Sequence, residues 1–115
     1  MGFEFVCEEN SLNTGDKKAF EVNGTKILLI NTQEGLFATQ AKCPHMGAPL
    51  EKGVMVTDDT IMCKFHRAEF NIKTGKVDQW ACFPPGIQAL NIFRGEKDLA
   101  TYETKIEDGK VYVSL

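Results

Sequence analysis

Cys43-Pro44-His45-Met46-Gly47 and its counterpart Cys63-Lys64-Phe65-His66-Arg67 decide how this chain is read. His45 and His66 are the only two histidines among the 115 residues, and each stands near a cysteine at ligand spacing. A soft thiolate and a borderline imidazole, contributed twice, make a four-ligand Cys₂His₂ set of Cys43, His45, Cys63 and His66. Such donors suit zinc or an iron–sulfur centre far better than magnesium or calcium. Zinc ribbons and fingers usually leave about two to four residues between paired ligands. Only Pro44 separates Cys43 from His45, which is tighter than that habit.

Outward from these pairs, turn signals recur at short intervals and strand-forming residues fill the runs between them. Residues 3–7 alternate in polarity. Runs 19–22 and 25–30 flank Asn23-Gly24, a two-residue hairpin signal, and runs 101–106 and 110–114 flank Asp108-Gly109, a second one. Further strands are expected over 36–40 after a turn at 31–35, over 61–63, over 68–72 before the turn Thr74-Gly75, and over 89–93. Residues 51–56 carry no assignable period. Spacing of this kind with almost no helical periodicity predicts an all-β antiparallel sandwich or barrel. Both ligand pairs fall at strand-to-turn junctions, so two hairpin-like loops set side by side on a rigid β base would hold a metal centre at one tip.

The whole chain bounds what such a centre can serve. Its length fits one domain over residues 1–115. The 43% hydrophobic and 25% charged residues are those of an ordinary globular protein. A net charge of −3 argues against nucleic acid or an anionic membrane as partner and fits a basic docking surface on another protein. No segment reaches the length of a spanning helix, and residues 1–6 lack the basic and apolar regions of a signal peptide, so a cytoplasmic location is expected. In a reducing compartment Cys7 and Cys82 are then expected as free, buried thiols.

The C-x-H…C-x-x-H pattern resembles the Rieske signature, in which two cysteines hold one iron of a [2Fe–2S] cluster and two histidines hold the other. The resemblance spans essentially the full chain and implies a Rieske-type fold: an antiparallel β-sandwich or barrel carrying a small subdomain of two ligand loops, about 41–50 and 61–70. It implies one [2Fe–2S] cluster per chain, held by Cys43, His45, Cys63 and His66. Phe83-Pro84-Pro85-Gly86 is similar to the proline segment that covers the cluster in this family, about 82–87 here. Two ferric ions, two sulfides and two thiolates sum to zero charge, so this ligand set is easier to reduce than a four-thiolate cluster. Neutral imidazoles keep an outer nitrogen that can meet a partner, which makes His45 and His66 the expected exit for the electron.

Departures from the family pattern narrow the branch. High-potential Rieske proteins of respiratory complexes carry an extra disulfide-bonded cysteine in each loop and a serine shortly after the second histidine. Ala48, Lys64 and Phe65 offer no such cysteine, and Ala68 stands at the serine position, so the chain looks like the low-potential ferredoxin branch. Arg67 occupies a place where glycine is common. Met46 and Phe65 are read as an apolar collar at the tip, and Trp80 and Phe83 as core filler. Residues 91–99 look longer than the matching stretch of compact Rieske ferredoxins and are read as a surface hairpin.

Such ferredoxins carry single electrons from a flavin-dependent reductase to a terminal oxygenase, and the resemblance implies that role for a monomeric chain. No oxygenase chemistry is expected of the chain itself: a mononuclear iron site would need further histidines, and both are already committed. The alternatives are a small Rieske subunit of a nitrite-reductase-like oxidoreductase and a structural zinc-binding module.

Overall fold

A computed structural model describes residues 2–44, 47–64, 67–79 and 98–115. The strands are β1 (Phe3–Glu8), β2 (Lys17–Val22), β3 (Thr25–Thr32), β4 (Gly35–Gln40), β5 (Val54–Met55), β6 (Thr60–Met62), β7 (Glu69–Asn71), β8 (Val77–Gln79), β9 (Thr101–Glu107) and β10 (Lys110–Ser114). Short 3₁₀ turns at Glu9–Ser11 and Leu50–Lys52 are the only helical pieces among the described residues. The fold is therefore all-β, and every strand pairing recorded for the two sheets is antiparallel. One sheet of six strands runs in the order β1-β10-β9-β4-β3-β2, and a smaller one runs β5-β6-β7-β8. Its two edge strands, β1 and β2, approach each other, so the larger sheet is nearly closed.

Local chemistry explains the hairpins of the larger sheet. Asn23 (φ 50°) and Gly24 (φ 80°) both sit left-handed between Val22 and Thr25, and Asp108 (φ 53°) and Gly109 (φ 75°) do the same between Glu107 and Lys110. That is the backbone a type I′ turn needs to match the twist of its strands. Between β3 and β4 the loop is shorter than the turn expected over 31–35, because the ladder runs on to the Thr32–Gly35 pair. Strand β3 is central in another sense. Ile27 and Leu29 pack inside the curled large sheet with Val22, Ala38, Val111 and Val113, whereas Leu28 and Ile30 face the small sheet.

The second core lies between the sheets and contains Leu28, Ile30, Leu50, Ile61, Phe70, Ile72 and Leu99 together with Cys43 and Cys63. Strands of only two or three residues have little ladder of their own, so this packing carries the small sheet. Gly75 shows how closely it is drawn in: φ is +79°, its carbonyl accepts from Leu99 N–H at 2.8 Å, and a Cβ there would collide with the Leu99 carbonyl. Leu99 is buried at 3% exposure, so that end of the 91–99 stretch is core and not part of a surface hairpin. The unassigned residues 51–56 resolve into the end of the 3₁₀ turn, buried Gly53 and β5. The expected strand at 89–93 lies outside the described residues.

Candidate metal centre

Both candidate loops are built on one backbone plan. Cys43 N–H donates to the Ala48 carbonyl at 2.7 Å, and Gly47 N–H returns to the Cys43 carbonyl at 2.8 Å. In the second loop Cys63 N–H donates to Ala68 at 2.8 Å, and Arg67 N–H returns to Cys63 at 2.9 Å. Each cysteine thus opens a tight turn that closes with a left-handed residue four positions on, Gly47 at φ 78° and Arg67 at φ 61°. Glycine takes that conformation freely and arginine only at a cost. Gly47 therefore suits its position, and Arg67 adopts the same backbone in spite of its side chain.

The supports differ. An isolated bridge between Lys42 and Pro49 closes the base of the first loop, and Leu50 N–H adds a bond to the Ala41 carbonyl at 2.9 Å. The second loop is the tip of the β6–β7 hairpin, registered through Thr60–Asn71, Ile61–Phe70 and Met62–Glu69. At the far end of that hairpin Lys73 Nζ meets Glu34 Oε1 at 2.8 Å and Asp59 Oδ1 at 3.2 Å, tying the small sheet to the β3–β4 turn. The hydrogen bond with Glu34 first, and Lys73 second, draw the Asp59 carboxyl below its ordinary pKa. Glu34 first, then Asp59, raise that of Lys73.

Cys43 and Cys63 are 2% and 1% exposed and share one apolar cluster. A thiolate in so apolar a place costs heavily unless a cation compensates it. Two buried thiols drawn together by matching loops therefore fit the sulfur half of a soft-metal centre. His45 and His66 lie outside the described residues, as do Met46, Phe65, Trp80, Cys82 and the Phe83–Gly86 cover. Cys7 is a thiol too, but it is half-buried at a bulge of β1 and not fully buried as expected. Among the described positions of the two loops the charged residues are Lys42, Lys64 and Arg67, all exposed, and Glu69, half-buried at the start of β7. These three cations and Glu69 stand at the loops of a chain whose net charge is −3.

Residues 2–103 match the Rieske [2Fe–2S] domain. The chain belongs to the Rieske family. Among curated relatives, biphenyl 2,3-dioxygenase ferredoxin component of Rhodococcus jostii is 31% identical over 116 residues, covering 100% of this chain and 94% of its own length. Human apoptosis-inducing factor 3 is 36% identical over 108 residues, 94% of this chain. The chain spans only 16% of that relative's length, and the same share of the mouse protein's. Among solved structures, the ferredoxin of carbazole 1,9a-dioxygenase from Nocardioides aromaticivorans superposes with a TM-score of 0.79 at 20% identity, covering 99% of this chain and 98% of that one. As a Rieske domain the chain takes one [2Fe–2S] cluster. No helix among the described residues is long and apolar enough to cross a membrane.

Proposed function

We propose that this chain is a one-electron carrier of the ferredoxin type, passing electrons from a flavin-dependent reductase to a terminal oxygenase, with its [2Fe–2S] cluster held by Cys43, His45, Cys63 and His66. The observation that carries the reading is the pair of buried thiols in loops of identical hydrogen-bond plan. Support for the role comes from the biphenyl dioxygenase ferredoxin component, which matches this chain nearly end to end. When bound, the cluster supplies a centre that accepts and releases one electron. The chain's own part is to bury the two thiols, to fix their turns through Gly47 and Arg67, and to present Lys42, Lys64 and Arg67 at the rim, where an acidic partner surface would be steered toward them.

In this reading residues 1–115 form one monomeric domain with loops at 41–50 and 61–70 and a proline cover at 82–87. It sits on the low-potential side of the family because the extra loop cysteines and the serine are absent. The chain carries electrons without performing the oxygenase step, since its two histidines are committed to the cluster. The thiol at Cys7 fits a reducing cytoplasm. Neither a nitrite-reductase-like subunit nor a zinc module is favoured by the relatives. Purified protein should be red-brown, bleach on reduction, and contain about two irons and two labile sulfides per chain. It should also be reduced by a flavoprotein reductase and reoxidised by an oxygenase. A colourless protein with stoichiometric zinc would overturn the cluster, and a loaded protein that no reductase can reduce would overturn the carrier role.

A further inference from the structure

We infer that two glutamine carboxamides, Gln40 and Gln79, are positioning residues that each hold the backbone of one cysteine loop. Gln40 closes β4. Its Nε2 donates to the Lys42 carbonyl at 2.6 Å, and its Oε1 accepts from Ala100 N–H at 2.8 Å. Gln40 N–H also donates to the Ala100 carbonyl at 2.9 Å. The Lys42 carbonyl belongs to the same peptide unit as Cys43 N–H, which makes the 2.7 Å bond to Ala48. Gln40 therefore grips the peptide that opens the first loop and ties it to the segment beginning β9.

Gln79 closes β8 and does the corresponding thing at the other end of the second loop. Its Nε2 donates to the Arg67 carbonyl at 2.9 Å. That carbonyl lies in the peptide joining Arg67, the left-handed residue, to Ala68, whose own carbonyl receives Cys63 N–H. One amide thus holds the entrance of one turn, and the other holds the exit of its counterpart.

Only a carboxamide meets the demand at Gln40. Ala100 N–H can only donate and the Lys42 carbonyl can only accept, so the ends of the side chain cannot be exchanged. A glutamate would set a carboxylate against the Lys42 carbonyl, and a methionine of similar length would offer no donor. Holding these peptides fixes the direction of the loop amides, and amides that donate to cluster sulfurs raise the potential. The assignment rests on the cluster reading above, and its test uses the cluster-loaded protein.

Gln40→Met and Gln79→Met should each load a cluster yet release it to a chelator roughly three- to tenfold faster than wild type, the weight of one net hydrogen bond. Each should also have a lower midpoint potential and altered electron paramagnetic resonance g-values. Gln33→Met, in the β3–β4 turn at the opposite end, should change none of these. In wild type, the side-chain amide protons of Gln40 and Gln79 should exchange more slowly than those of Gln33. Variants with unaltered potential, spectrum and release rate would overturn the assignment, as would a lower melting temperature with an unaltered potential and spectrum. If a variant fails to fold, wild-type amides at residues 40 and 79 that exchange as fast as Gln33 would overturn it. Wild type that purifies without iron would instead overturn the cluster reading and not this one.

Discussion

Residues 42–49 and 63–68 bend the backbone in the same way but meet its demands differently. The first loop is closed by an isolated bridge, the Leu50–Ala41 bond and the Gln40 carboxamide and relieves its left-handed position with Gly47, whereas the second crowns a registered hairpin and places Arg67 there. Firm support allows a strained residue: the β6–β7 ladder, which the first loop lacks, holds a turn that arginine would not choose. A loop whose base is an isolated bridge and not a ladder has less to hold a strained residue in place. Arginine in turn puts a charge at the rim, which glycine cannot do.

The largest effects are expected at the cysteines. Cys43→Ala and Cys63→Ala should both abolish cluster incorporation and speed amide exchange across β5–β8, because metal binding and loop order are coupled. Iron content and absorption spectra check this, and a retained cluster in either variant refutes the ligand assignment. His45→Cys or His66→Cys comes next: a neutral donor becomes anionic, so any cluster that still forms should have a lower potential. An unchanged potential in a loaded variant would remove that histidine from the ligand set.

Exchanging the left-handed residues tests the strain directly. Gly47→Arg should lose about 1–2 kcal/mol of stability, the cost of a side chain in that conformation. Arg67→Gly should recover at most about 1 kcal/mol, since glycine's freedom in the unfolded chain offsets part of the relief. Thermal unfolding of the two variants measures both, and equal effects would mean that the loops tolerate strain alike.

The smallest effect is expected at the hairpin's far end, where the ion pairs are exposed and salt-screened. The lowered pKa of Asp59 makes its contribution present above its unfolded value and lost as pH falls through the folded one. The raised pKa of Lys73 makes its contribution present below its unfolded value and lost as pH rises through the folded one. Unfolding midpoints of Lys73→Met and wild type should therefore converge at either extreme, and converge in high salt. A difference that persists at low pH would assign Lys73 a packing role against Phe37, whose ring centroid lies 5.8 Å from Nζ.

Much of the architecture could be read from short-range chemistry. Asn23-Gly24 and Asp108-Gly109 identify their hairpins because few other dipeptides occupy two left-handed positions in succession. Strands β5 and β8 escaped such a reading, since runs of two or three residues carry no period and exist only through pairing with β6 and β7. The cysteine pairs were visible by spacing, and the equal treatment of Gly47 and Arg67 was foreshadowed only by the family habit of glycine at the latter. Gln40 and Gln79 gave no signal at all: a glutamine is uninformative until the carbonyl it reaches is known.

By itself the sequence determined the all-β class and the tight hairpins and pointed to a donor set, because ligand chemistry and left-handed turns depend on neighbouring residues. Tertiary structure alone decided that Cys43 and Cys63 lie in one buried cluster, that Ile27 and Leu29 part company with Leu28 and Ile30, and that Leu99 closes against Gly75. Those outcomes depend on which strand faces which across long stretches of chain. No local pattern encodes that choice, and it is made by burying both faces of β3 at once.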